Sequence, residues 1–305
     1  MPSGSLRWGV TRQTTAGTDT ATPRLRGSPG ETGYAETNGV RTYYERRGDG
    51  PPVVFVHGMA MSTTMWDRQA SALSGEFTTV VYDVRGHGRT GGSPVETYTV
   101  DLFADDLDAL LTALDIERPV LCGLSMGGAV VQAYAARHPE KVAGLVLADT
   151  FPSGPLPLAG RLAFANLRFL GWLQQYVGYK RLNRLQMRVG NALTSGWAGD
   201  EVTVQALMDS DPRIPADEFR KIARATAAFP DADFDRSAVT VPVLVLHAEH
   251  APPGFSEMAV AVADGFPNAP VERVAVPDAG HAVNLDTPAF FDRTVRAFVR
   301  RATRE

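Results

Sequence analysis

Ser125 lies in Gly123-Leu124-Ser125-Met126-Gly127, a G-x-S-x-G pattern. The logic of that pattern is steric. A serine at a sharp strand-to-helix turn exposes its hydroxyl, and small residues two before and two after let strand and helix pass closely. In a chain with 29 glycines the pattern alone is a weak signal, so its setting must carry the argument. The apolar run Pro119 to Cys122 precedes it and a helical pattern follows. A helix starting there points backbone N–H groups at developing negative charge. Serine is a poor nucleophile at neutral pH until an imidazole takes its proton. Pro277-Asp278-Ala279-Gly280-His281 offers that imidazole in a loop after the last strand-like run, so His281 is the expected base. Acyl transfer also needs two N–H donors aimed at the tetrahedral oxyanion. The backbone of Met126 is one expected donor. The other is Met59, in His57-Gly58-Met59 after the apolar run Val53 to Val56. His57 itself reads as a structural group ending a buried strand, and His87 falls in a Gly86-His87-Gly88 turn.

These residues need a scaffold that brings distant loops to one edge. Tyr34–Thr37, Asn38-Gly39 and Val40–Arg46 read as a hairpin, since Asn-Gly favours the type I′ turn. Short apolar runs follow at 53–56, 77–82, 119–124, 142–148, 241–246 and 271–276, as expected of strands covered on both faces. Helical patterns lie between most of them, at 102–114 and 127–138, and the last begins at Thr287, an expected N-cap, followed by Pro288. Strands alternating with helices predict an α/β fold: a mostly parallel central sheet with helices on both faces. Residues 151–237 break the rhythm, with helical spacing at Phe164, Leu167, Leu170, Leu173 and Val177 and further helical stretches near 182–193, 201–208 and 216–228. The expected organisation is a disordered extension over 1–31, a core over 32–150 and 238–305, and a helical cap over 151–237.

Composition narrows the partners. A net charge of -4 argues against nucleic acid, which is usually met by a basic face. The single Cys122 excludes an intramolecular disulfide and a cysteine-rich metal site. No metal or organic cofactor is expected, because no ligand cluster is visible. No uncharged apolar run reaches the length of a membrane span, and residues 1–31 lack the apolar core of a signal peptide. A cytoplasmic protein acting on a small molecule is the expectation, with the oligomeric state open.

Four motifs in order carry a wider likeness: Val56-His57-Gly58-Met59, Tyr82-Asp83-Val84-Arg85-Gly86-His87-Gly88, Cys122 to Gly128 around Ser125, and Gly280-His281. On them the chain from about Tyr34 to Arg301 resembles the α/β-hydrolase superfamily, with the closest look to its cofactor-free branch of enol-lactonases, esterases and perhydrolases. The resemblance implies a serine hydrolase with an acyl-enzyme on Ser125. Ser125 argues against epoxide hydrolases and haloalkane dehalogenases of this fold, which use aspartate. The family's usual acid follows the strand 241–246 in a Gly-Glu-x-Asp-Pro stretch. Here the residues read Ala248-Glu249-His250-Ala251-Pro252, so alanine stands at the acid position. Some relatives place the acid one strand earlier, and on that likeness Asp149 is the leading candidate, with Glu249 next; the alternative for Asp149 is a structural cap on the first turn of the insertion. His247 and His250 are further pocket candidates.

The substrate is legible only in outline. Met59, Met61 and Met126 make an adaptable apolar lining, and Phe164, Leu167, Phe169, Trp172 and Tyr176 of the cap can add to it. Met61, Phe164 and Trp172 are the expected substrate contacts. An uncharged or weakly polar ester or lactone fits. A perhydrolase-type haloperoxidase, a carbon–carbon hydrolase and a noncatalytic ligand-binding protein on the same scaffold stand as alternatives, the last kept open by Ala251.

Overall fold

The computed structural model describes residues 30–177, 214–251 and 255–304. Eight strands form one sheet: β1 (Glu31–Thr37), β2 (Val40–Arg47), β3 (Pro52–Val56), β4 (Thr78–Tyr82), β5 (Val120–Leu124), β6 (Gly144–Ala148), β7 (Val243–Ala248) and β8 (Val271–Val276). Their order is β1-β2-β4-β3-β5-β6-β7-β8. The first two pairings, β1/β2 and β2/β4, are antiparallel, and the others are parallel. The hairpin turns at Asn38 and Gly39, both with positive φ (41° and 81°), as a type I′ turn requires. β1 begins at Glu31, inside the segment expected to be an extension; residues 1–29 lie outside the described ones.

The described helices are α1 (Asp67–Leu73), α2 (Val100–Ala113), α3 (Met126–Arg137), α4 (Leu158–Val177), α5 (Ala216–Ala228), α6 (Phe255–Asp264), α7 (Val283–Asp286) and α8 (Pro288–Ala302). They divide the core in two because strand side chains alternate faces. Val54, Val56 and Leu121 point into one layer with residues of α2, α3, α5 and α6. Val53, Phe55, Val120 and Cys122 point into the other with residues of α1 and α8. The parallel strands from β3 to β7 are thus apolar on both faces, which is why their runs are unbroken in sequence. Burying each such valine or leucine contributes about 1.5–3 kcal/mol.

Among the described residues, no strand lies between β6 and β7; α4 and α5 occupy that interval. The helical stretches expected near 182–193 and 201–208 lie outside the described residues. Phe151, just after β6, anchors both described helices: its ring packs on Phe164 of α4 at 4.7 Å and on Phe229, after α5, at 5.7 Å. Thr287 precedes α8 as expected, but its side chain makes no cap hydrogen bond, so Pro288 marks that helix start alone.

A buried ion pair ties the hairpin side of the sheet to α2. Arg85 donates to both carboxylate oxygens of Asp106, from Nε at 2.7 Å and Nη2 at 2.6 Å. Asn38 O and Ser93 Oγ take further guanidinium hydrogens. The Tyr82–Gly88 motif thus acts structurally at Arg85; removing one partner of such a pair costs about 3–5 kcal/mol.

Candidate functional site

The parallel strands β3, β5, β6, β7 and β8 end at one edge of the sheet, and that edge collects strained backbone. Ala60, Ser125, Asp149 and Asp278 all have positive φ, at 61°, 54°, 38° and 54°. Each lies shortly after a strand end, and side chains in this region cost about 1–3 kcal/mol and cluster at functional sites.

Ser125 follows β5 and heads α3, with φ 54° and ψ -117°. Two glycines permit this turn. A Cβ on Gly127 would lie 2.1 Å from Val56 O, and one on Gly123 would lie 2.3 Å from Gly127 O. The Ser125 N–H donates to Ala148 O at 3.0 Å, pinning the turn to β6. Its carbonyl accepts from Gly128 N–H at 3.0 Å, Ala129 N–H at 3.2 Å and the Thr150 hydroxyl at 2.7 Å. Met126 begins α3, where the first N–H groups have no intrahelical acceptor.

Asp149 comes directly after β6 and is 8% exposed. One carboxylate oxygen, Oδ1, accepts the Ala248 N–H at 3.1 Å, and the other, Oδ2, takes a hydrogen bond from His281 Nδ1. Burial draws the His281 imidazole down. The hydrogen bond and charge of Asp149, with the charge of Asp286, outweigh burial and hold it above the ordinary histidine value. With Nδ1 given to Asp149, Nε2 is the nitrogen left to accept a proton. Consecutive residues after β6 thus hold both partners, Asp149 the imidazole and Thr150 the carbonyl of Ser125.

The loop after β3 is set by two histidines. His57 Nδ1 donates to Gly58 O at 2.8 Å, and its Nε2 accepts the Val84 N–H at 3.0 Å. His87 donates from Nδ1 to the carbonyls of Val84 and Arg85, and its Nε2 accepts the Ala60 N–H at 3.2 Å. The two rings meet edge to face at 4.8 Å. Both are fully buried and neutral. Burial chiefly lowers His57 to about 4, and burial with the neighbouring His57 lowers His87 to about 3. Asp83 completes the frame, accepting the Thr63 and Arg89 N–H groups at 2.7 and 2.8 Å. Gly58 borders Ser125 closely: a Cβ there would lie 3.6 Å from that of the serine. This brings the Met59 backbone to the neighbourhood of the elbow.

The other expected residues are distributed unevenly. Met59 and Met61 are half-buried and pack on opposite core layers. Phe164 is buried against Phe151, whereas Phe169 is 54% exposed. The side chains of Leu167, Trp172 and Tyr176 lie outside the described residues. Glu249 is exposed and accepts the Asp278 N–H at 2.9 Å, so its carboxylate braces the histidine loop two residues short of Gly280. Ala251 packs at the edge of the second core layer. Glu249, His250 and Asp278 offer three atoms within 4.8 Å of one another that can hold a metal ion, all at the surface end of the two loops. Thr150 and His87 are the supports that sequence reading missed. The only signal was their place in or beside a motif, because each acts on a residue more than twenty positions away.

The comparisons with known proteins agree with this architecture. The chain is 32% identical over 252 residues to a non-heme chloroperoxidase of Streptomyces lividans, covering 76% of this chain and 84% of that one. It is 25% identical over 266 residues to 3-oxoadipate enol-lactonase 2 of Acinetobacter baylyi, covering 83% and 90%. A thermophilic esterase from Thermogutta terrifontis superposes with a TM-score of 0.74 at 27% identity, over 89% of this chain and 99% of that one. The model of the alpha/beta hydrolase fold matches residues 51–288, from the start of β3 to the start of α8, and the chain belongs to that family.

Proposed function

We propose that the protein is a serine hydrolase that cleaves an uncharged or weakly polar carboxylic ester or lactone. Ser125 attacks the carbonyl, His281 takes its proton, and Asp149 holds the imidazole and offsets its charge when it becomes imidazolium. The N–H groups of Met59 and Met126 receive the oxyanion. Water then releases the acid from Ser125, with His281 as base again. The described helices α4 and α5 belong to the cap, and Met61 and Phe164 line the substrate space. The observation that carries the reading is the buried Asp149 carboxylate bonded to His281 beside the Ser125 turn. It supplies, from β6, the acid that Ala251 cannot.

A fluorophosphonate probe tests the reading. It is expected to label Ser125, with labelling lost in Ser125→Ala and strongly slowed in His281→Ala. Intact labelling of Ser125→Ala, or full aryl-ester turnover by His281→Ala, refutes it. The chloroperoxidase relative favours a second reading in which peroxide, in place of water, attacks the acyl-enzyme to give a peracid. Halide oxidation in acetate with peroxide, exceeding the rate of ester hydrolysis, is the result that would prefer it.

A further inference from the structure

The loop that carries His281 is closed by a carboxylate other than Asp149. Asp286 ends α7, and its Oδ2 accepts the Gly280 N–H at 2.9 Å. The N–H groups of Leu285 and Asp286 both return to Ala282 O, at 2.7 and 3.0 Å. Residues 280–286 therefore curl on themselves, with the imidazole at one end and the Asp286 carboxylate tied to the peptide just before it. The middle of the curl is fixed separately, through Asn284. Its side chain donates to Met65 O at 3.0 Å, and its carbonyl accepts from Gln69 Nε2 at 3.0 Å. Gly280, which precedes the histidine, has its N–H directed by Asp286.

Neither the proton transfer nor the oxyanion contacts of the proposed reaction use Asp286. We propose that Asp286 is a positioning residue for His281, fixing the histidine loop through the Gly280 N–H and setting a second negative charge beside the imidazole. The inference rests on the triad reading above. When the serine proton reaches His281, the imidazolium then lies in the field of two carboxylates, one bonded to Nδ1 and one tied to the Gly280 N–H of the same loop. Its positive charge is stabilised by both, and burial, which opposes charging, is overcome. The other ionisable groups near this edge act less directly. His247, on β7, feels Asp149 and Arg273. Glu249 is spent on the Asp278 N–H, and the Asp278 side chain is 89% exposed.

The test compares Asp286→Asn and Asp286→Ala in the full chain, reading kcat and kcat/KM for an aryl ester against pH. Asparagine keeps an oxygen for the Gly280 N–H but removes the charge. It is expected to retain kcat near the wild-type value on the alkaline plateau. Its acidic limb of kcat/KM should move to lower pH, because the free imidazole loses its proton sooner. Alanine loses both functions. Its kcat should fall about 10-fold or more with KM little changed, as misplacement of a catalytic group predicts, and its limb should move the same way. An acidic limb unshifted in Asp286→Asn overturns the proposal whatever happens to kcat, since a purely structural aspartate would leave that limb in place. If Asp286→Ala does not fold, the asparagine profile decides alone. Fluorophosphonate labelling of wild-type Ser125 separates the two readings. Without labelling the triad reading itself fails; with labelling and an unshifted limb, only the role of Asp286 does.

Discussion

Two buried histidines that make no part of the proposed proton relay should govern the acid stability of the protein. His57 and His87 have folded-state values of about 4 and about 3. In the unfolded chain each titrates near 6.5. The folded values are depressed, so their contribution is fully present above about pH 6.5. It is lost as pH falls, because only the unfolded chain binds the protons. At pH 5 each histidine costs about 2 kcal/mol relative to pH 8, and the pair about 4 kcal/mol. A domain is typically stable by about 5–15 kcal/mol, so this is a large fraction. Asp83, whose carboxyl burial pushes up, works in the opposite sense. A variant comparison therefore isolates the histidines. The glutamine side chain introduced by His87→Gln can still accept the Ala60 N–H but cannot titrate. Urea unfolding at pH 8 and pH 5 should show a baseline loss in His87→Gln and a pH-dependent loss smaller than wild type by about 2 kcal/mol. Equal pH-dependent losses in the two proteins would refute the reasoning. So would histidine ring resonances of His57 or His87 titrating near 6.5 in the folded protein.

Three further outcomes bear on the site. Asp149→Asn should leave the fold intact and lower ester turnover by about 10³ to 10⁴, because the amide favours the wrong imidazole tautomer. In the same assay Ala251→Asp should change turnover little; a large gain there would show that the acid belongs on β7. Thr150→Val removes the hydroxyl that donates to Ser125 O and should lower kcat more than it changes KM. Thr150→Ser should restore most of the loss, which a simple packing defect would not allow.

The centre of the sheet was legible because β3, β5, β6 and β7 are short and apolar on both faces, and the β1–β2 hairpin because Asn38-Gly39 marks its turn. The boundaries moved by up to three residues, as at β1, which begins at Glu31, and β7, which extends to Ala248. Elements whose pattern lacks a clear period were missed. The short α1 holds only seven residues, and α6 is apolar nearly throughout. At the site, Ser125 stood out because steric rules tie it to its flanking glycines, and His281 because it sits in the loop after the last strand. Asp149 was harder, since an aspartate at a strand end serves equally as a cap or an acid. Its contact with His281, 132 residues away, is what favours the acid reading. Asp286 and Thr150 left no spacing signature, because each acts through a carboxylate or hydroxyl directed at backbone.

The position of Asp149 also bears on how this scaffold can be altered. In the proposed triad the imidazole is held from β6, so the turn after β7 need not supply a carboxylate at a fixed distance. Ala251 there packs at the edge of the second core layer. That turn becomes the natural place to diversify by mutagenesis, with length and polarity changed around His250 and Ala251 while the acid stays untouched. The segment after β6 is the reverse case. Asp149, Thr150 and Phe151 in succession bind the imidazole, the serine turn and the two helices above. A single insertion there would disturb all three at once, so a library built on this chain should leave those positions alone and place its variation one strand further along.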